Sequence, residues 1–407
     1  MTTRLRPPGP ADAVVAGGGP AGSVAALVLA AAGRRVLLLD AGGHLAPPAG
    51  PGAFKIGESL PPAARPLLRD LGLLDGFLAA GHPASTGTYS AWGSPALHGS
   101  SHLFDPNGHG WHLDRLRFDA FLRDAAVAAG AELRRATVLA QPGEGLIVRE
   151  HDTGTVAELR SRWTVDATGR RCVIGRRRGR RHRQDRLVAA YAVLPDRHTA
   201  DRAGPEDTAH RARREDAAHP AGPEDAEART LVEAAPDGWW YTTRVPAGRL
   251  VAHLTDPDLA DPSLRTPQGF WRGITRTDHV RRRLDGYDPA TTPVPRWTPA
   301  HGVRLGPAAG PGWVAAGDAA LAFDPLSSQG ILTALLTGAR AGQAITACLA
   351  APGRTAHALA DYTAFLDGVA DAYRRNHAHA YDQERRWPLS PFWQRRRTGG
   401  ASLPGIA

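Results

Sequence analysis

A glycine-rich turn near the N terminus constrains this chain more than any other stretch, because it joins a segment that predicts a strand to one that predicts a helix. Gly17, Gly19 and Gly22 have the G-x-G-x-x-G spacing. In that pattern the first glycine turns the chain, the second lets backbone approach a pyrophosphate, and the third lets the helix pack on the strand. An apolar run then ends at Asp40, where an acid can bind a ribose hydroxyl. The pattern predicts a βαβ unit that binds a dinucleotide with its phosphates at the positive end of the helix; the alternative is a glycine-rich turn inside an α/β core.

Composition indicates a globular protein, since 42% of the 407 residues are hydrophobic and can form the cores of two or three modules. The two cysteines, Cys172 and Cys348, cannot make a disulfide framework, and residues 1–10 do not resemble a signal peptide. No apolar run reaches the ~20 residues that span a bilayer. We therefore expect a cytoplasmic protein. The net charge of +9 says little about partners, because Lys55 is the only lysine and the arginine bias is typical of GC-rich coding.

Two stretches in the middle of the chain have an unusual composition. Residues 176–186 are densely basic, and without a zinc spacing, an RNA-binding signature or interleaved aromatics they predict a solvated helix face and disfavour nucleic acid as a partner. Residues 196–229 contain almost nothing apolar except alanine, and Ala-Gly-Pro-Glu-Asp occurs twice, at 203–207 and 221–225. This composition predicts a duplicated, disordered surface insertion.

Antiparallel strands are predicted between about 230 and 254, where apolar and polar residues alternate. Trp239, Trp240 and Tyr241 follow one another in the middle strand. Adjacent aromatics more often pack a sheet face than hold a ligand, so both interpretations stay open.

A second strand-turn-helix pattern covers residues 313–331. Its strand ends at Gly317 and Asp318, which places a carboxylate near a sugar hydroxyl. The following helix begins near Ser328, and its free N–H groups can face an electron-rich ring. Both features suit a flavin.

Three motifs in the order 17–22, 166–169 and 317–320 resemble those of the FAD-dependent monooxygenase and halogenase superfamily, which is built on the p-hydroxybenzoate hydroxylase fold. The resemblance covers nearly the whole chain. Further stretches are similar to the tryptophan-halogenase-like branch, and more narrowly to the LodB/GoxB-type flavoproteins that mature tryptophan-derived quinone cofactors in protein substrates. These stretches are 55–62, 238–241 and 324–330.

The resemblance implies an α/β fold with a Rossmann-like FAD-binding domain of the p-hydroxybenzoate hydroxylase or glutathione reductase type, an antiparallel-sheet substrate domain and C-terminal helices. The FAD-binding domain would comprise 11–48, 100–186 and 300–350. The substrate domain would comprise 49–99 and 187–299, including the insertion. Residues 351–407 would form the C-terminal helices and a tail that frays around Arg395.

The resemblance also implies non-covalent FAD and a set of residues around it. Its ADP part would be bound by Gly17, Gly19, Gly22 and Asp40. Arg115 would contact its phosphates, and Asp318 its ribitol and pyrophosphate. The full set of implied FAD contacts is Gly17, Gly19, Pro20, Ala21, Gly22, Asp40, Ala41, Ser59, Arg115, Asp166, Gly169, Gly317, Asp318, Pro325, Ser328, Gln329, Gly330 and Ile331. Trp239, Trp240 and Tyr241 would contact the substrate beside the flavin, and no metal is expected.

Departures from true halogenases favour oxygen chemistry over halide chemistry. Those enzymes use a lysine late in the first substrate-domain segment, and here residues 86–92 contain none. Ser327 stands where they carry a glutamate, and Tyr241 replaces the second tryptophan of their Gly-Trp-x-Trp-x-Ile-Pro signature. The expected reaction is hydroxylation of an electron-rich aromatic, an indole or tryptophan or a phenol or tyrosine, through a flavin C4a-hydroperoxide. The ring would belong to a small molecule, a carrier-bound metabolite, a peptide or a protein.

Four residues are candidates for catalysis. Lys55 would stabilise anionic reduced flavin or developing charge on the oxygen adduct, since a compact ammonium retained among arginines indicates a specific need; the alternative is chance retention. Glu58, His109 and His112 are candidate general bases. The alternatives are an ion pair between Glu58 and Lys55, and turn and capping roles for the histidines.

Dioxygen is the expected co-substrate. The flavin would be reduced by NAD(P)H directly or by a separate flavin reductase; both stay open, because no second nucleotide motif is visible. Two other functions stay open: a halogenase with atypical catalytic residues, and a non-catalytic flavoprotein partner in maturation.

Overall fold

The computed structural model describes residues 11–42, 54–195 except 142 and 144, and 227–397. Its strands are β1 (Ala11–Ala16), β2 (Val36–Asp40), β3 (Ser59–Leu60), β4 (Ala84–Ser85), β5 (Gly87–Ala91), β6 (His98–Ser101), β7 (Gly110–His112), β8 (Glu132–Ala140), β9 (Leu146–Glu150), β10 (Val156–Leu159), β11 (Ser161–Asp166), β12 (Arg180–Arg183), β13 (Val188–Leu194), β14 (Thr230–Ala235), β15 (Gly238–Val245), β16 (Gly248–Thr255), β17 (Arg296–Pro299), β18 (Val303–Gly306), β19 (Ala309–Gly310), β20 (Trp313–Ala315) and β21 (Leu321–Ala322). Its helices are α1 (Pro20–Ala31), α2 (Ala64–Asp70), α3 (Leu74–Ala79), α4 (Arg115–Ala128), α5 (Pro267–Thr275), α6 (His279–Arg283), α7 (Gly330–Ala350), α8 (Thr355–Gln383) and α9 (Pro391–Arg397).

A sheet with the strand order β10-β9-β8-β2-β1-β11-β20-β19 forms the centre of the nucleotide-binding part. The strands from β8 to β20 run parallel, because α1 returns the chain from β1 to β2 in the predicted βαβ unit. Ala16 at the end of β1 pairs with Leu39 on one side and with Asp166 on the other. Parallel pairing therefore brings three of the sequence motifs to the same edge of the sheet, where ligands of doubly wound sheets bind.

A second sheet, with the order β17-β13-β16-β15-β14-β5-β6, forms the other large layer. The predicted antiparallel strands are present as β14, β15 and β16. Side chains alternate between its faces, so Trp239 and Tyr241 pack in one apolar cluster and Trp240 packs in another, with Phe270 of α5. The mixed α/β fold class is confirmed.

Two small sheets connect the layers. One has the order β3-β7-β4 and joins segments that we assigned to different domains. The other has the order β12-β18-β21. The domain boundaries given above remain a prediction.

The basic run is not the predicted helix face. A single 3₁₀ turn spans Gly175–Arg177, and β12 then pairs with β18, with Arg181 opposite Leu305. Its side chains are mostly exposed, as expected for a solvated run, but the backbone hydrogen bonds go to a neighbouring strand instead of along a helix.

Two further predictions about order need correction. The segment around Arg395 does not fray: it forms α9, in which Trp393 is fully buried and Arg396 is paired with Asp256. The predicted disordered insertion lies outside the described residues over 196–226, but its last residues, 227–229, contact the second sheet. The carbonyl of Glu227 accepts a hydrogen bond from Arg249 of β16 in this sheet at 3.2 Å, and the carbonyl of Ala228 accepts one from His112 Nε2 of β7, in a small sheet, at 2.6 Å. Within the described ranges, no helix is long and apolar enough to cross a membrane.

Candidate functional site

A cavity of about 760 Å³ extends from the β1–α1 turn to the aromatic face of the second sheet. Most of the residues that we expected around FAD line this cavity: Gly17, Gly19, Pro20, Ala21, Asp40, Ala41, Ser59, Arg115, Gly169, Gly317, Asp318, Pro325, Ser328, Gly330 and Ile331. Lys55, Glu58, Trp239 and Tyr241 line it as well. The fold therefore brings the predicted cofactor, catalytic and aromatic residues to one continuous space.

The glycines of the first turn have separate roles. Gly17 has φ +110°, and a Cβ there would lie 2.3 Å from the carbonyl oxygen of Ala167. A Cβ on Gly22 would lie 1.8 Å from the carbonyl oxygen of Gly17, so this glycine lets α1 pack on the turn and does not itself face the cavity. A Cβ on Gly19 would meet nothing within 4 Å. The backbone before α1 is thus open toward the cavity, as the approach of a pyrophosphate requires.

Asp40 offers an acceptor at the same end of the cavity. Its Oδ1 accepts a hydrogen bond from Gly42 N at 2.9 Å. Its Oδ2 is buried, lies 3.0 Å from Arg123 Nη1 and accepts no hydrogen bond. This oxygen is paired with Arg123 by charge but accepts no hydrogen bond, so it can accept one from a ligand hydroxyl, which is the role predicted for this carboxylate toward a ribose.

Asp318 is oriented by a residue that the sequence did not single out. Arg170 Nε lies 3.4 Å from Asp318 Oδ2, and Arg170 donates to the carbonyls of His301 and Phe323. Arg170 also lines the cavity, and its signal in the sequence was its place directly after the 166–169 motif. Asp166, by contrast, lies outside the cavity: it is fully buried, and its carboxylate accepts bonds from the loop that follows, including Gly175 N at 2.7 Å.

The start of α7 closes the middle of the cavity. Ser328 has φ +50°, a left-handed conformation that is uncommon for a residue with a side chain, and it turns the chain into the helix at Gly330. Asp324 fixes the preceding 3₁₀ turn through a hydrogen bond from Leu326 N at 2.9 Å. The free N–H groups of the first turn of α7 are therefore presented beside the cavity. Gln329 does not line it.

Arg115 and Lys55 share one carboxylate. Arg115 Nε lies 3.1 Å from Asp119 Oδ1, and Lys55 Nζ lies 2.6 Å from Asp119 Oδ2. Burial alone would raise the pKa of Asp119, but the charges of Arg115 and Lys55 outweigh it and hold that pKa below its ordinary value. Arg115 also donates to the carbonyl of Gly57 at 3.1 Å, which fixes the loop that carries Lys55 and Glu58.

Glu58 and Tyr241 both line the cavity wall, and Glu58 Oε2 accepts a hydrogen bond from Gly57 N at 3.1 Å. Burial raises the pKa of Glu58 above its ordinary value of 4.5, and the lowering effects of backbone hydrogen bonds, Arg115 and Tyr241 do not offset it. Burial and the neighbouring carboxyl raise the pKa of Tyr241 as well. The expected alternative of an ion pair between Glu58 and Lys55 is not observed, because Lys55 is paired with Asp119.

Of the predicted catalytic and substrate residues, three lie away from the cavity. His112 is fully buried in β7, where Nε2 donates to Ala228; burial lowers its pKa and keeps the ring neutral. His109 lies against Trp111 and contacts the carbonyl of Gly110. Trp240 stacks on His253 on the far side of the sheet, with ring centroids 4.5 Å apart.

Several residues of the aromatic end were not predicted from the sequence. Tyr191 of β13 and Phe54 have ring centroids 6.3 Å apart and both line the cavity. Thr230, Val232 and Leu254 complete this end. For the residues in strands β13 to β16, the alternation of side chains in the sequence places them on the same face of the sheet as Trp239, but it does not show what covers that face.

Comparison with known proteins identifies the family. Residues 10–229 match the FAD binding domain family. The chain belongs to this FAD-binding family. It is 26% identical over 400 residues to LodB of Marinomonas mediterranea, described as an FAD-dependent oxidoreductase, and the match covers 95% of this chain and 96% of LodB. The predicted similarity to LodB-type flavoproteins and the assignment as an FAD-dependent oxidoreductase are confirmed.

Solved structures show the same fold. The myxobacterial chondrochloren halogenase CndH superposes with a TM-score of 0.78 at 24% identity, over 97% of this chain and 87% of CndH. The peptidyl tryptophan dihydroxylase QhpG superposes with a TM-score of 0.71 at 23% identity, over 98% of this chain and 81% of QhpG. Since members of this fold have different activities, the reaction must be argued from the cavity.

Proposed function

We propose that this protein is an FAD-dependent monooxygenase that hydroxylates an electron-rich aromatic ring, an indole or tryptophan or a phenol or tyrosine, in a small molecule, a peptide or a protein. The observation that carries the proposal is the buried carboxyl of Glu58, which lines the cavity together with the aromatic side chains of Trp239 and Tyr241. Hydroxylation of a ring releases a proton, and a carboxyl whose pKa is raised toward the working pH is suited to accept it.

The residues of the chain divide the remaining tasks. The turn at Gly19 and the start of α1 would hold the phosphates, Asp40 a ribose hydroxyl, and Asp318 the polar chain next to the ring system. When bound, FAD supplies the electron transfer and the activation of dioxygen that these side chains cannot provide. Trp239 and Tyr241 would position the substrate ring, and the apolar wall that they form would exclude water. NAD(P)H or a separate reductase would supply the electrons.

Two observations weigh against halogenation. Residues 86–92 contain no lysine, and the only lysine of the chain, Lys55, lies on an earlier loop, with Nζ 2.6 Å from Asp119 Oδ2. Ser327, at the position of a halogenase glutamate, uses its hydroxyl to cap its own turn by donating to the carbonyl of Asp324 at 3.0 Å. Among the activities that the relatives' names carry, tryptophan hydroxylation fits this cavity better than halogenation.

Product mass decides between these functions. We would reduce the FAD-loaded protein in the presence of ¹⁸O₂ and offer a tryptophan peptide, a tyrosine peptide, indole and phenol, with and without bromide. The proposal expects one or two ¹⁸O atoms in an aromatic product, independent of bromide. A brominated product would establish an atypical halogenase. Flavin reoxidation with no modified aromatic in any of these mixtures would favour a non-catalytic partner.

Glu58→Gln tests the assigned role. This variant should keep FAD and lose most of the hydroxylated product. The reduced flavin should instead be reoxidised with release of hydrogen peroxide. Glu158→Gln is the matched control, because Glu158 lies on the exposed strand β10 and pairs with Arg160. Product yield equal to the wild type in Glu58→Gln would remove the basis of the proposal.

A further inference from the structure

A set of aromatic side chains connects the cavity to the surface of the C-terminal helices. We call it the aromatic path, and it comprises Trp92, Trp239, Tyr381, Trp387 and Trp393. Trp239 lines the cavity and is 1% exposed, and Tyr381 and Trp393 are fully buried. Trp387 is partly exposed. The path therefore has one end at the site and the other in contact with solvent.

Successive members of the path are close enough for electron exchange. Trp239 Nε1 donates a hydrogen bond to Tyr381 Oη at 3.1 Å. The ring centroids of Tyr381 and Trp393 are 5.8 Å apart, and those of Trp393 and Trp387 are 5.9 Å apart. Trp92 gives a parallel step, with centroid distances of 6.3 Å to Trp239 and 5.3 Å to Trp393. Electron transfer slows steeply with distance, so several short steps between oxidisable rings are faster than one long step.

The phenolic proton of Tyr381 has a nearby acceptor. Its hydroxyl donates to Asp324 Oδ2 at 2.7 Å. Burial would raise the pKa of Asp324, but the hydrogen bond and charge of His377, 3.2 Å from Oδ2, keep that pKa below its ordinary value, so the carboxylate is ionised. A tyrosine gives up an electron readily only when its phenolic proton leaves at the same time, and a charged acceptor at this distance permits that.

We propose that the aromatic path carries single electrons from thiolates at the surface to a one-electron oxidant at the flavin position in the cavity, such as oxidised flavin excited by light. The oxidant gains one electron from Tyr381 by way of Trp239, and the Tyr381 proton moves to Asp324 Oδ2. An external thiolate then gives one electron through Trp387 and Trp393 and becomes a thiyl radical, the proton returns from Asp324 Oδ2 to Tyr381 Oη, and two thiyl radicals combine to a disulfide. The protein is unchanged, and an oxidising species left in the cavity without substrate is discharged before it damages the cavity wall.

Two guanidinium groups lie beside the path, that of Arg396 5.5 Å from the Tyr381 ring centre and that of Arg386 4.3 Å from the Trp387 ring centre. Both are ion-paired, with Asp256 and Glu384 respectively, so they leave little net charge to decide which ring holds the radical. Loss of the phenolic proton to Asp324 leaves Tyr381 as a neutral radical. The path should therefore accumulate a neutral tyrosyl radical.

Light supplies the oxidant for a test without turnover, because blue-light excitation makes oxidised flavin a strong one-electron oxidant. Transient absorption of the FAD-loaded protein without substrate should show a neutral tyrosyl radical, and dithiothreitol should shorten its lifetime. Tyr381→Phe should lose the tyrosyl absorption. Trp387→Phe should keep that absorption and lose the effect of dithiothreitol. Trp240→Phe is the matched control, since it lies on the same strand as Trp239 but faces away, and it should behave as the wild type.

Two results would overturn the proposal. A tyrosyl signal that persists in Tyr381→Phe would assign the radical to Tyr191 or Tyr241 of the cavity, and the path would then be aromatic packing only. If Tyr381→Phe fails to fold, the Trp387→Phe variant at the surface decides, and an unchanged dithiothreitol effect there contradicts the path. Substrate hydroxylation is not measured, so failure of the proposed function would leave this result unaffected.

Discussion

Lys55 and Asp119 form an ion pair at the wall of the cavity, with Nζ 2.6 Å from Oδ2. The carboxylate is almost fully buried while half of the lysine side chain is exposed, so the ammonium faces both its partner and the cavity. Asp119 is also paired with Arg115, whose Nε lies 3.1 Å from Asp119 Oδ1. Removal of Lys55 therefore leaves the buried carboxylate paired and the fold intact.

Lys55→Met and Lys55→Arg should both retain FAD and lose about ten- to a thousandfold in turnover, as expected on removal of an electrostatic stabiliser. A guanidinium is planar and broad, so arginine does not restore the compact charge. The measurement is product formed per reduced flavin oxidised, with peroxide as the remainder. Arg160→Met, which removes an exposed, ion-paired cation far along the sheet, is the control. Wild-type coupling in Lys55→Met would show that Lys55 is only a surface charge.

The pH dependence of product formation should report Glu58. Its pKa is raised by burial above its ordinary value of 4.5, and a carboxyl accepts a proton only when ionised. Product formation should therefore fall as pH falls through this raised pKa, giving an acidic limb above the pH where an ordinary glutamate titrates. In Glu58→Gln the residual rate should lack that limb. An identical limb in the variant would assign the ionisation to another group.

Gly19→Trp should give folded but colourless protein. A Cβ at Gly19 has no neighbour within 4 Å, so the indole enters the cavity without disturbing the turn, and it occupies the space of the pyrophosphate. Flavin absorbance and thermal unfolding are the measurements. Gly368→Trp is the control, because its Cβ also meets nothing within 4 Å but it lies on the exposed side of α8. Stoichiometric FAD in Gly19→Trp would refute the placement of the cofactor.

Two deletions that differ only in residues 226–228 test whether the end of the insertion contributes to stability. Replacement of 198–225 by a short Gly/Ser linker should leave FAD content and thermal stability nearly unchanged, because those residues contain little apolar surface to bury. Extension of the deletion to 228 should cost about 1–3 kcal/mol, because Nε2 of buried His112 loses the Ala228 carbonyl that accepts its hydrogen bond. Arg249 also loses one bond, to the Glu227 carbonyl, but keeps others, such as the one to Thr242 Oγ1. Equal stability of the two variants would contradict this account.

Local motifs were predictable because their constraints are local. The turn at Gly17 needs a positive φ, Gly22 needs the absence of a side chain, and Asp40 must end a buried strand. Each requirement is met within a few residues of chain, so spacing alone indicates it. The same reasoning failed for 176–186, where charge predicted a helix face but pairing with β18 made a strand. It failed also for Arg395, since its partners are Asp256 and Asp258.

The sequence by itself determined that a βαβ unit, a strand-turn-helix with Asp318 and an aromatic strand exist, since strand and helix periods and glycine positions are properties of short segments. Only the tertiary structure decided which of these side chains act together. Asp119 is 64 residues from Lys55, and Tyr381 is 142 residues from Trp239. Such partners are selected by burial: a charge or an indole N–H removed from water must find a partner, and the packing of distant elements decides which one is there.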